Sequence, residues 1–464
     1  MYLFDETLFA HIRGVLFQSK FLEGAQKDSA ARLISRASPD LFASNLYRSK
    51  RGVKIQPRGG FGSLSLHKNL LEKLAASGAD ILPLTIDSHT RQNDYKTLEQ
   101  IIANSLTDDA ATKTLNGFPL IHHGWKDICQ IHQNLGKPVS LRHGSPDPRL
   151  LVEIALLSGV FEIEGGAISY TLPYSRDYPI ENAFRNWAYV DFLSGSLSIS
   201  GKKIHRESFG PLTATLVPPF MVIVIQVLEL LLALSQGVRS FSMSFGQLGS
   251  IKQDYATARA LRMVAKHFVE KFGFNLDEPL RLVFHQWMGA FPSHPSRAQM
   301  LMSLGCLSAK FCAADKMITK TVAEAMSLPT VEENADAVEQ STYFLHHLGE
   351  LKIAIDDKME EETSLLAEQS MYVLDHIIHD KNKLANDVIQ AIYQGKIDIP
   401  FSPHYANAGA LWAEHDSNNF VRVVDFGKVP ALKKFKAHEN SSMRSKKLRN
   451  SPDAILNDIN VMLS

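Results

Sequence analysis

Three arginines and one glutamate stand where short apolar runs of the chain end, at Arg58, Arg91, Arg142 and Glu164. A guanidinium group grips a carboxylate through two parallel hydrogen bonds, and a glutamate can accept a hydrogen bond or a proton from an ammonium group. Three guanidinium groups without counter-charges are costly around one cavity. The set therefore predicts a binding site for an amino acid that carries two carboxylates.

Two other interpretations of these residues stay open. Phosphate also suits arginine, although the chain lacks the Gly-x-x-x-x-Gly-Lys-Ser/Thr loop of many phosphate sites. Each residue could instead form an internal salt bridge, because perturbed charged groups are not always functional. Tyr170 and Tyr174 follow Glu164 and lie four residues apart. Their hydroxyls could line the same cavity, or their rings could pack in the core.

We expect no metal site in this chain. Asp87-Ser88-His89 begins like the Asp-x-His-x-x-Gly signature of a cobalt-ligating histidine, but Gln92 stands in place of the glycine. Three histidine pairs also lie close in sequence without a cysteine or a recognisable zinc spacing. They are His122 with His123, His346 with His347, and His376 with His379.

The residues that would position these side chains alternate between apolar runs and helical stretches. Such alternation predicts parallel strands joined by right-handed crossovers, and the number of units predicts an α/β fold of the (β/α)8 TIM barrel type. The active site of such a barrel lies at the carboxyl ends of its strands. A barrel needs eight strands, so one of the nine candidate runs is superfluous: 53–56, 80–86, 119–122, 138–142, 160–164, 209–215, 238–245, 280–285 and 316–320.

The rest of the chain indicates additions to the barrel. We predict an N-terminal helical extension over 1–48, a catalytic barrel over 49–335, and a mostly helical accessory segment over 336–464. In that segment, helices are expected over 331–351 and 357–393, and a strand over 420–424. The basic stretch from Lys433 to Arg449 is interpreted as a solvated surface arm, because polar residues dilute its charge.

Composition argues against several classes of protein. The 464 residues contain 49 Lys and Arg against 49 Asp and Glu, so no long-range positive field favours nucleic acid. Three cysteines without a CxxC pair, and a start without a basic export signal, predict a cytoplasmic protein. The apolar run 220–234 is shorter than the roughly 20 residues needed to cross a bilayer, and we expect a buried helix there, not a membrane segment.

With these residues side by side, the chain resembles the large, epsilon subunit of glutamate mutase, or methylaspartate mutase, from about 50 to 430. The resemblance implies a (β/α)8 barrel facing a small partner subunit that carries adenosylcobalamin and an Asp-x-His-x-x-Gly cobalt ligand. It also implies a homodimer of large subunits within a heterotetramer. It rests on Thr90-Arg91-Gln92-Asn93, Leu115-Asn116-Gly117-Phe118-Pro119, Arg142-His143-Gly144, Glu164-Gly165-Gly166, Phe209-Gly210-Pro211-Leu212-Thr213, Phe284-His285-Gln286-Trp287-Met288-Gly289 and Asn407-Ala408-Gly409.

The same resemblance implies a role for individual residues. Those that match the family's substrate contacts are Arg58, Arg91, Arg142 and His143 for the carboxylates, Glu164 for the amino group and for catalysis, and Tyr170 and Tyr174 beside them. Those that match contacts to the corrin or the adenosyl group are Gly60, Asn116, Pro173, Phe291, Lys320, Glu324 and Leu328, the last in place of an isoleucine.

The implied reaction is the reversible radical isomerisation of L-glutamate to threo-3-methyl-L-aspartate. His89, which stands where the family more often has tyrosine, leaves open a mutase acting on a different acidic amino acid. A cobalamin-independent barrel lyase or aldolase that uses Lys320 as a Schiff base is also open. A non-catalytic binding subunit is a further alternative.

Overall fold

A computed structural model describes residues 5–49, 52–104, 115–210, 216–325 and 327–433 of the chain. Its centre is an eight-stranded sheet in which all paired neighbours are parallel, in the order β1-β8-β7-β6-β5-β4-β3-β2. The strands are β1 (Lys54–Gln56), β2 (Leu82–Thr85), β3 (Val139–Arg142), β4 (Glu162–Glu164), β5 (His205–Glu207), β6 (Phe241–Gly246), β7 (Arg281–His285) and β8 (Lys316–Ile318).

Backbone hydrogen bonds between the first two strands bring the ends of this sheet together. The Ile55 carbonyl accepts from Asp80 N at 2.9 Å and from Ile81 N at 3.3 Å, and the Gly59 carbonyl accepts from Thr85 N at 3.2 Å. The sheet therefore curls into a nearly closed barrel with helices on its outer face, which confirms the predicted (β/α)8 architecture.

Sixteen described helices surround and extend the barrel. They are α1 (Glu6–Leu16), α2 (Ser29–Arg36), α3 (Ala43–Ser49), α4 (Leu64–Ala76), α5 (Ser88–Arg91), α6 (Tyr95–Asn104), α7 (Leu120–His123), α8 (Lys126–Leu135), α9 (Arg149–Leu157), α10 (Ile180–Leu197), α11 (Pro219–Ser235), α12 (Ile251–Phe272), α13 (Pro295–Phe311), α14 (Val331–Leu348), α15 (Asp357–Ile377) and α16 (Leu384–Tyr393).

The N-terminal helices pack directly on the barrel. Arg13 of α1 donates from Nε and Nη2 to the buried carboxylate of Glu153, at 2.7 and 3.0 Å. The ring of Phe42, just before α3, stacks on Phe161 with centroids 4.4 Å apart. The predicted extension therefore shares the hydrophobic core of the barrel, and the division of the chain near 48 and 335 stays a prediction.

One of the nine strand predictions was wrong, and another falls mostly outside the described residues. Residues 119–122 lie mostly in helix α7; only Phe118, just before them, forms an isolated parallel bridge with Ile86. The fifth strand is His205–Glu207 and precedes the predicted run 209–215, of which 211–215 lie outside the described residues. The strand was missed because its three polar residues are fully buried, whereas sequence patterns associate buried strands with apolar residues.

The apolar run 220–234 forms the buried helix α11, as expected, and packs between α12 and α15. Among the described residues, no helix combines the length and the apolar character that a membrane span requires.

The C-terminal segment is helical and ends in a hairpin. Its predicted second helix is two helices, α15 and α16, separated by a short turn in which the Asp380 carboxylate accepts from Asn382 N at 2.9 Å. The predicted strand at 420–424 is confirmed as β10 (Val421–Asp425), which pairs antiparallel with β9 (Trp412–His415). Apart from Lys433, the basic stretch lies outside the described residues.

Candidate active site

One cavity lies at the carboxyl ends of the barrel strands, where the resemblance placed the substrate. All seven residues predicted to contact substrate line it. Its walls are formed by Arg58, Thr85, Arg91, Arg142, His143, Gly144, Glu164, Tyr170, Tyr174, Phe209, His285 and Met288.

Arg142 is paired with two protein carboxylates, whereas the sequence predicted three guanidinium groups without counter-charges. Its Nη2 donates to Glu164, and its Nη1 donates to Glu207 at 3.4 Å. Burial lowers the pKa of Arg142, but the two carboxylates raise it more, so the pKa lies above its ordinary value. The internal salt bridge that the sequence left open is therefore formed here, at the top of strands β3, β4 and β5.

Arg58 and Arg91 have no such partner among the residues that the structure describes. Among the described residues, no carboxylate lies within ion-pair distance of either guanidinium group, although Arg91 Nε donates to the Ile86 carbonyl at 2.6 Å. Burial lowers the pKa of Arg91, and the neighbouring charge of Arg58 lowers it further. The cavity therefore presents two positive charges that no carboxylate in the described parts of the chain compensates.

The short helix that carries Arg91 is fixed by Asp87. One carboxylate oxygen of Asp87 accepts from His89 N at 2.9 Å and from Thr90 N at 3.0 Å, which caps α5. His89 itself lies outside the cavity wall, with Nδ1 3.6 Å from an oxygen of Asp94. Asp87 and His89 thus serve the local structure of the loop after β2.

Glu164 is buried and shares its two oxygens between a cation and a phenol. One oxygen accepts from Arg142 and the other from the hydroxyl of Tyr170. Burial raises the pKa of Glu164 to about 7, while Arg142 and the Tyr170 hydrogen bond oppose that rise. This carboxyl group therefore changes its charge near neutral pH.

The two tyrosines lie at the open side of the cavity. Tyr170 is buried, whereas Tyr174 is 48% exposed and its ring meets that of Tyr170 edge-on at 5.7 Å. Partial desolvation raises the pKa of Tyr174 to about 12, and full burial raises that of Tyr170 well above its ordinary value. Both phenols are protonated at neutral pH and can donate hydrogen bonds.

Below the cavity, the barrel interior holds a second set of charges that sequence reasoning missed. Lys316 of β8 forms ion pairs with Glu162 and Glu207 and donates to Gln56 Oε1 at 2.7 Å. Together with the contacts of Arg142, these pairs make a continuous buried chain from Glu164 through Glu207 to Glu162. The charged sequence of β5 was the available signal, since inward residues alternate along a barrel strand.

Two buried histidines also border the cavity. His143 accepts from Ser145 N at 3.0 Å through Nδ1, and burial followed by the charge of Arg91 lowers its pKa well below the ordinary value. Burial and the nearby Arg142 likewise lower the pKa of His285. Both rings are therefore neutral. His285 was visible only as part of the motif around Trp287, without an assigned role.

Glu164, Glu207 and His285 bring possible metal-ligand atoms within 4.8 Å of one another. Arg142 and Lys316 already neutralise the two carboxylates. A metal ion would have to compete with both cations, so the arrangement is better suited to orienting side chains than to holding a metal.

The residues that match corrin or adenosyl contacts differ widely in exposure. Lys320 is buried, pairs with Glu324, and lies 6.0 Å from the ring centroid of Phe291. Burial lowers the pKa of Lys320 to about 8, and the charge of Arg58 contributes in the same direction. Gly60 and Pro173 are half-buried, whereas Asn116 is exposed and Leu328 is 60% exposed. Apolar and polar groups are thus both available to a large amphipathic ligand.

The glycine pair after Glu164 is explained by close packing. A Cβ on Gly165, whose φ is 118°, would overlap the rings of Tyr170 and Trp187. A Cβ on Gly166 would overlap the carboxyl group of Glu229. These positions require glycine because other side chains approach the backbone of the loop.

This chain is similar over most of its length to proteins of one known family. The family model of the methylaspartate mutase E chain matches residues 39–460. The glutamate mutase epsilon subunit of Yersinia enterocolitica is 38% identical over 428 residues, which cover 91% of this chain and 88% of that protein. The epsilon subunit of Desulfitobacterium hafniense is 39% identical, with coverages of 85% and 82%, and that of Halobacterium salinarum is 38% identical, with coverages of 84% and 80%.

Proposed function

The chain belongs to the methylaspartate mutase E chain family and is a subunit of an isomerase, and we propose that it carries the active site that interconverts L-glutamate and threo-3-methyl-L-aspartate. The proposed cofactor is adenosylcobalamin, held by a small partner subunit that supplies the cobalt ligand. By analogy with the family, two large and two small subunits would form a heterotetramer.

The observation that carries this proposal is the pair of uncompensated arginines beside a buried glutamate. Arg58 and Arg91 supply two positive charges in the wall of one cavity, and an acidic amino acid brings two carboxylates. Glu164 supplies an acceptor for the ammonium group once it is ionised. We assign Arg142 and His143 to the same carboxylate-binding wall, with Arg142 oriented by Glu164 and Glu207.

The phenols and the neutral histidines complete the proposed binding of substrate. The hydroxyl of Tyr174 can donate a hydrogen bond to the substrate, the hydroxyl of Tyr170 donates to Glu164, and both rings line the cavity. Close packing of this kind holds a migrating fragment in place and excludes water from reactive species. No side chain of this chain needs to form a covalent bond with the substrate.

The residues at the rim fit a corrin and its adenosyl group. Lys320 and Glu324 offer a buried donor and acceptor beside Phe291, and the exposed Leu328 offers an apolar contact surface. Gly60, Asn116 and Pro173 would complete the contact. When bound, adenosylcobalamin supplies the carbon radical that abstracts a hydrogen atom from the substrate.

The loop after β2 supports a partner as the source of the cobalt ligand. Asp87 is committed to capping α5, and His89 lies beside Asp94. Neither arrangement offers a histidine oriented by an aspartate toward the cavity mouth, as a cobalt ligand would require.

A direct assay tests the proposal. The full chain is mixed with the small subunit of a related glutamate mutase and adenosylcobalamin, and formation of 3-methylaspartate from L-glutamate is measured. Omission of either the partner or the cofactor is expected to abolish product. Turnover of another acidic amino acid but not of glutamate would favour the alternative substrate class.

The lowered pKa of Lys320, about 8, favours one second candidate, a lyase or aldolase that forms a Schiff base. Borohydride trapping with a dicarboxylate substrate, in the absence of cobalamin, separates the two functions. A covalent adduct that is lost in Lys320→Met would support the lyase. We expect no adduct, because Lys320 is paired with Glu324.

A further inference from the structure

The loop from Gly165 to Tyr174 connects three residues of the cavity wall. It begins beside Glu164 and carries both Tyr170 and Tyr174. Its own hydrogen bonds, such as Tyr170 N to the Gly166 carbonyl at 3.1 Å, form turns only from residue 170 onward. The three backbone N–H groups before them, at 167–169, need acceptors from elsewhere.

Glu229 of α11 supplies those acceptors. Its Oε2 accepts from Ala167 N at 3.1 Å, and its Oε1 accepts from Ile168 N at 2.9 Å and from Ser169 N at 2.8 Å. The Ser169 hydroxyl adds a fourth hydrogen bond at 3.0 Å. A carboxylate is costly in an apolar helix, and four donors converging on it offset that cost.

The position of Glu229 explains a polar residue that the sequence left without a role. Fifteen residues of α11 are buried, and Glu229 is 4% exposed. The carboxyl group fits against the loop only because Gly166 has no Cβ. The loop and α11 therefore pack closely where Gly166 meets the carboxyl group of Glu229.

Arg206 fixes the same loop from the other side of Glu164. It donates to the carbonyls of Ile163 at 2.6 Å and Gly165 at 3.0 Å, the residues that flank Glu164. Its Nε donates to Asp191 at 2.6 Å, so the guanidinium group is itself held. With Arg206 anchoring the start of the loop, Glu229 is left to fix the turn that leads to Tyr170.

We propose that Glu229 is a positioning residue of the mutase site: it holds residues 167–169 so that the hydroxyl of Tyr170 reaches the carboxyl group of Glu164. This inference rests on the proposed function for its effect on turnover. The geometric part, from Glu229 through the loop to Tyr170 and Glu164, stands on the contacts alone.

The consequence is measurable at Glu164. The charged and titratable groups that face it include Arg142 from β3, Glu207 from β5, His285 from β7, Lys316 from β8, and Tyr170 and Tyr174 from the loop that follows it. The Tyr170 hydrogen bond lowers the pKa of Glu164, so losing it raises that pKa above about 7. Removing a negative charge at Glu229 would, by itself, lower the pKa of Glu164. Loss of the Tyr170 hydrogen bond and loss of the Glu229 charge therefore shift the pKa of Glu164 in opposite directions.

The experiment titrates Glu164 by infrared spectroscopy in the full chain, with the carboxyl band assigned by its loss in Glu164→Gln. Glu229→Gln keeps the size of the side chain but replaces one acceptor oxygen with an NH2 group. We expect the midpoint of Glu164 to rise by about 0.5 to 1 pH unit. Tyr170→Phe should give a similar rise, and adding Glu229→Gln to it should give no further rise.

Val227→Ala is the matched control, because Val227 is buried on the same helix and does not bind the loop. It should leave the midpoint unchanged. If Glu229→Gln does not fold, Ser169→Ala removes one of the four hydrogen bonds and should give a smaller rise. An unchanged or lowered midpoint, or an equal rise in the Tyr170→Phe background, overturns the inference.

A second measurement uses the assembled enzyme. Glu229→Gln should lower kcat for glutamate by about tenfold with a smaller change in KM, since the loop positions groups around bound substrate. An inactive wild-type complex would contradict the proposed function, while the infrared midpoint would still test the positioning role. If Glu229→Gln keeps the wild-type kcat and pH profile, the positioning role of Glu229 is contradicted, but the proposed function is not.

Discussion

Arg142 and Glu164 form a buried ion pair at the top of neighbouring strands, and Tyr170 donates to the free oxygen of the same carboxylate. The pair divides the charges of the cavity into two groups. Arg142 is neutralised by Glu164 and Glu207 before any ligand binds, whereas no described carboxylate neutralises Arg58 or Arg91. Variants of the two groups should therefore behave differently.

Replacement of Arg91 by lysine should raise KM for glutamate by about tenfold and change kcat less. The positive charge is kept, but the fork that holds a carboxylate in place and orientation is lost. Steady-state kinetics of the assembled enzyme measure both constants. Arg36→Lys, an exposed change on α2, serves as the control and should match the wild type. A wild-type KM in Arg91→Lys would contradict a carboxylate contact.

Activity should fall on the acid side of about pH 7 as Glu164 becomes protonated. Burial raises the pKa of this group, so the carboxylate that accepts the ammonium group is present above about pH 7 and is lost below it. The dependence of kcat/KM on pH from 5.5 to 9 shows this limb. In Glu164→Gln the rate should be lower by about a hundredfold and the limb should disappear; a limb that persists would assign it to another group.

Replacement of Lys316 by methionine should destabilise the fold by about 3 to 5 kcal/mol, since it leaves Glu162 buried without a cation and leaves Glu207 with Arg142 alone. Urea unfolding measures the loss. The double variant Lys316→Met with Glu162→Gln should recover part of the stability, and no recovery would argue against this pairing.

An alanine at Gly166 should cost about 2 to 3 kcal/mol of unfolding free energy because its Cβ overlaps the carboxyl group of Glu229. Thermal unfolding measures the change. Gly14→Ala, at a half-buried position of α1 where the added Cβ meets only the flexible end of Lys27, is the comparison and should be neutral or slightly stabilising. Equal effects at the two glycines would show that the loop can move away from α11.

The ends of most strands could be predicted from the sequence, but the ion pairs between side chains of different strands could not. Seven of the candidate runs overlap observed strands of the barrel, because Gly, Pro and charged residues mark the ends of those runs. The pairing of Arg142 with Glu207 could not be predicted, since Glu207 lies on a strand that was missed. In the observed register Glu164 stands directly beside Glu207. Two neighbouring carboxylates need a cation, and Arg142 supplies it.

The polar residues of α11 show the same limit. Their place in an apolar run indicated burial, but Glu229 meets residues 60 to 62 positions away in the chain. Only the packing of the helix against the loop after β4 reveals what the carboxylate does. The apolar sequence of 220–234 is enough to predict a buried helix. The role of Glu229 becomes clear only from its contacts with the distant loop.

The charged interior of the barrel also restricts how the strands can align. Were β5 to slip by one residue against its neighbours, Glu207 would leave Arg142 and Lys316, and Arg206 would turn from Asp191 toward two existing cations. An apolar interior would tolerate such a slip at the cost of some packing. Here the slip would bring like charges together in a medium of low polarity. The buried ion pairs therefore destabilise misaligned strand registers, even where they contribute little net stability to the correct one.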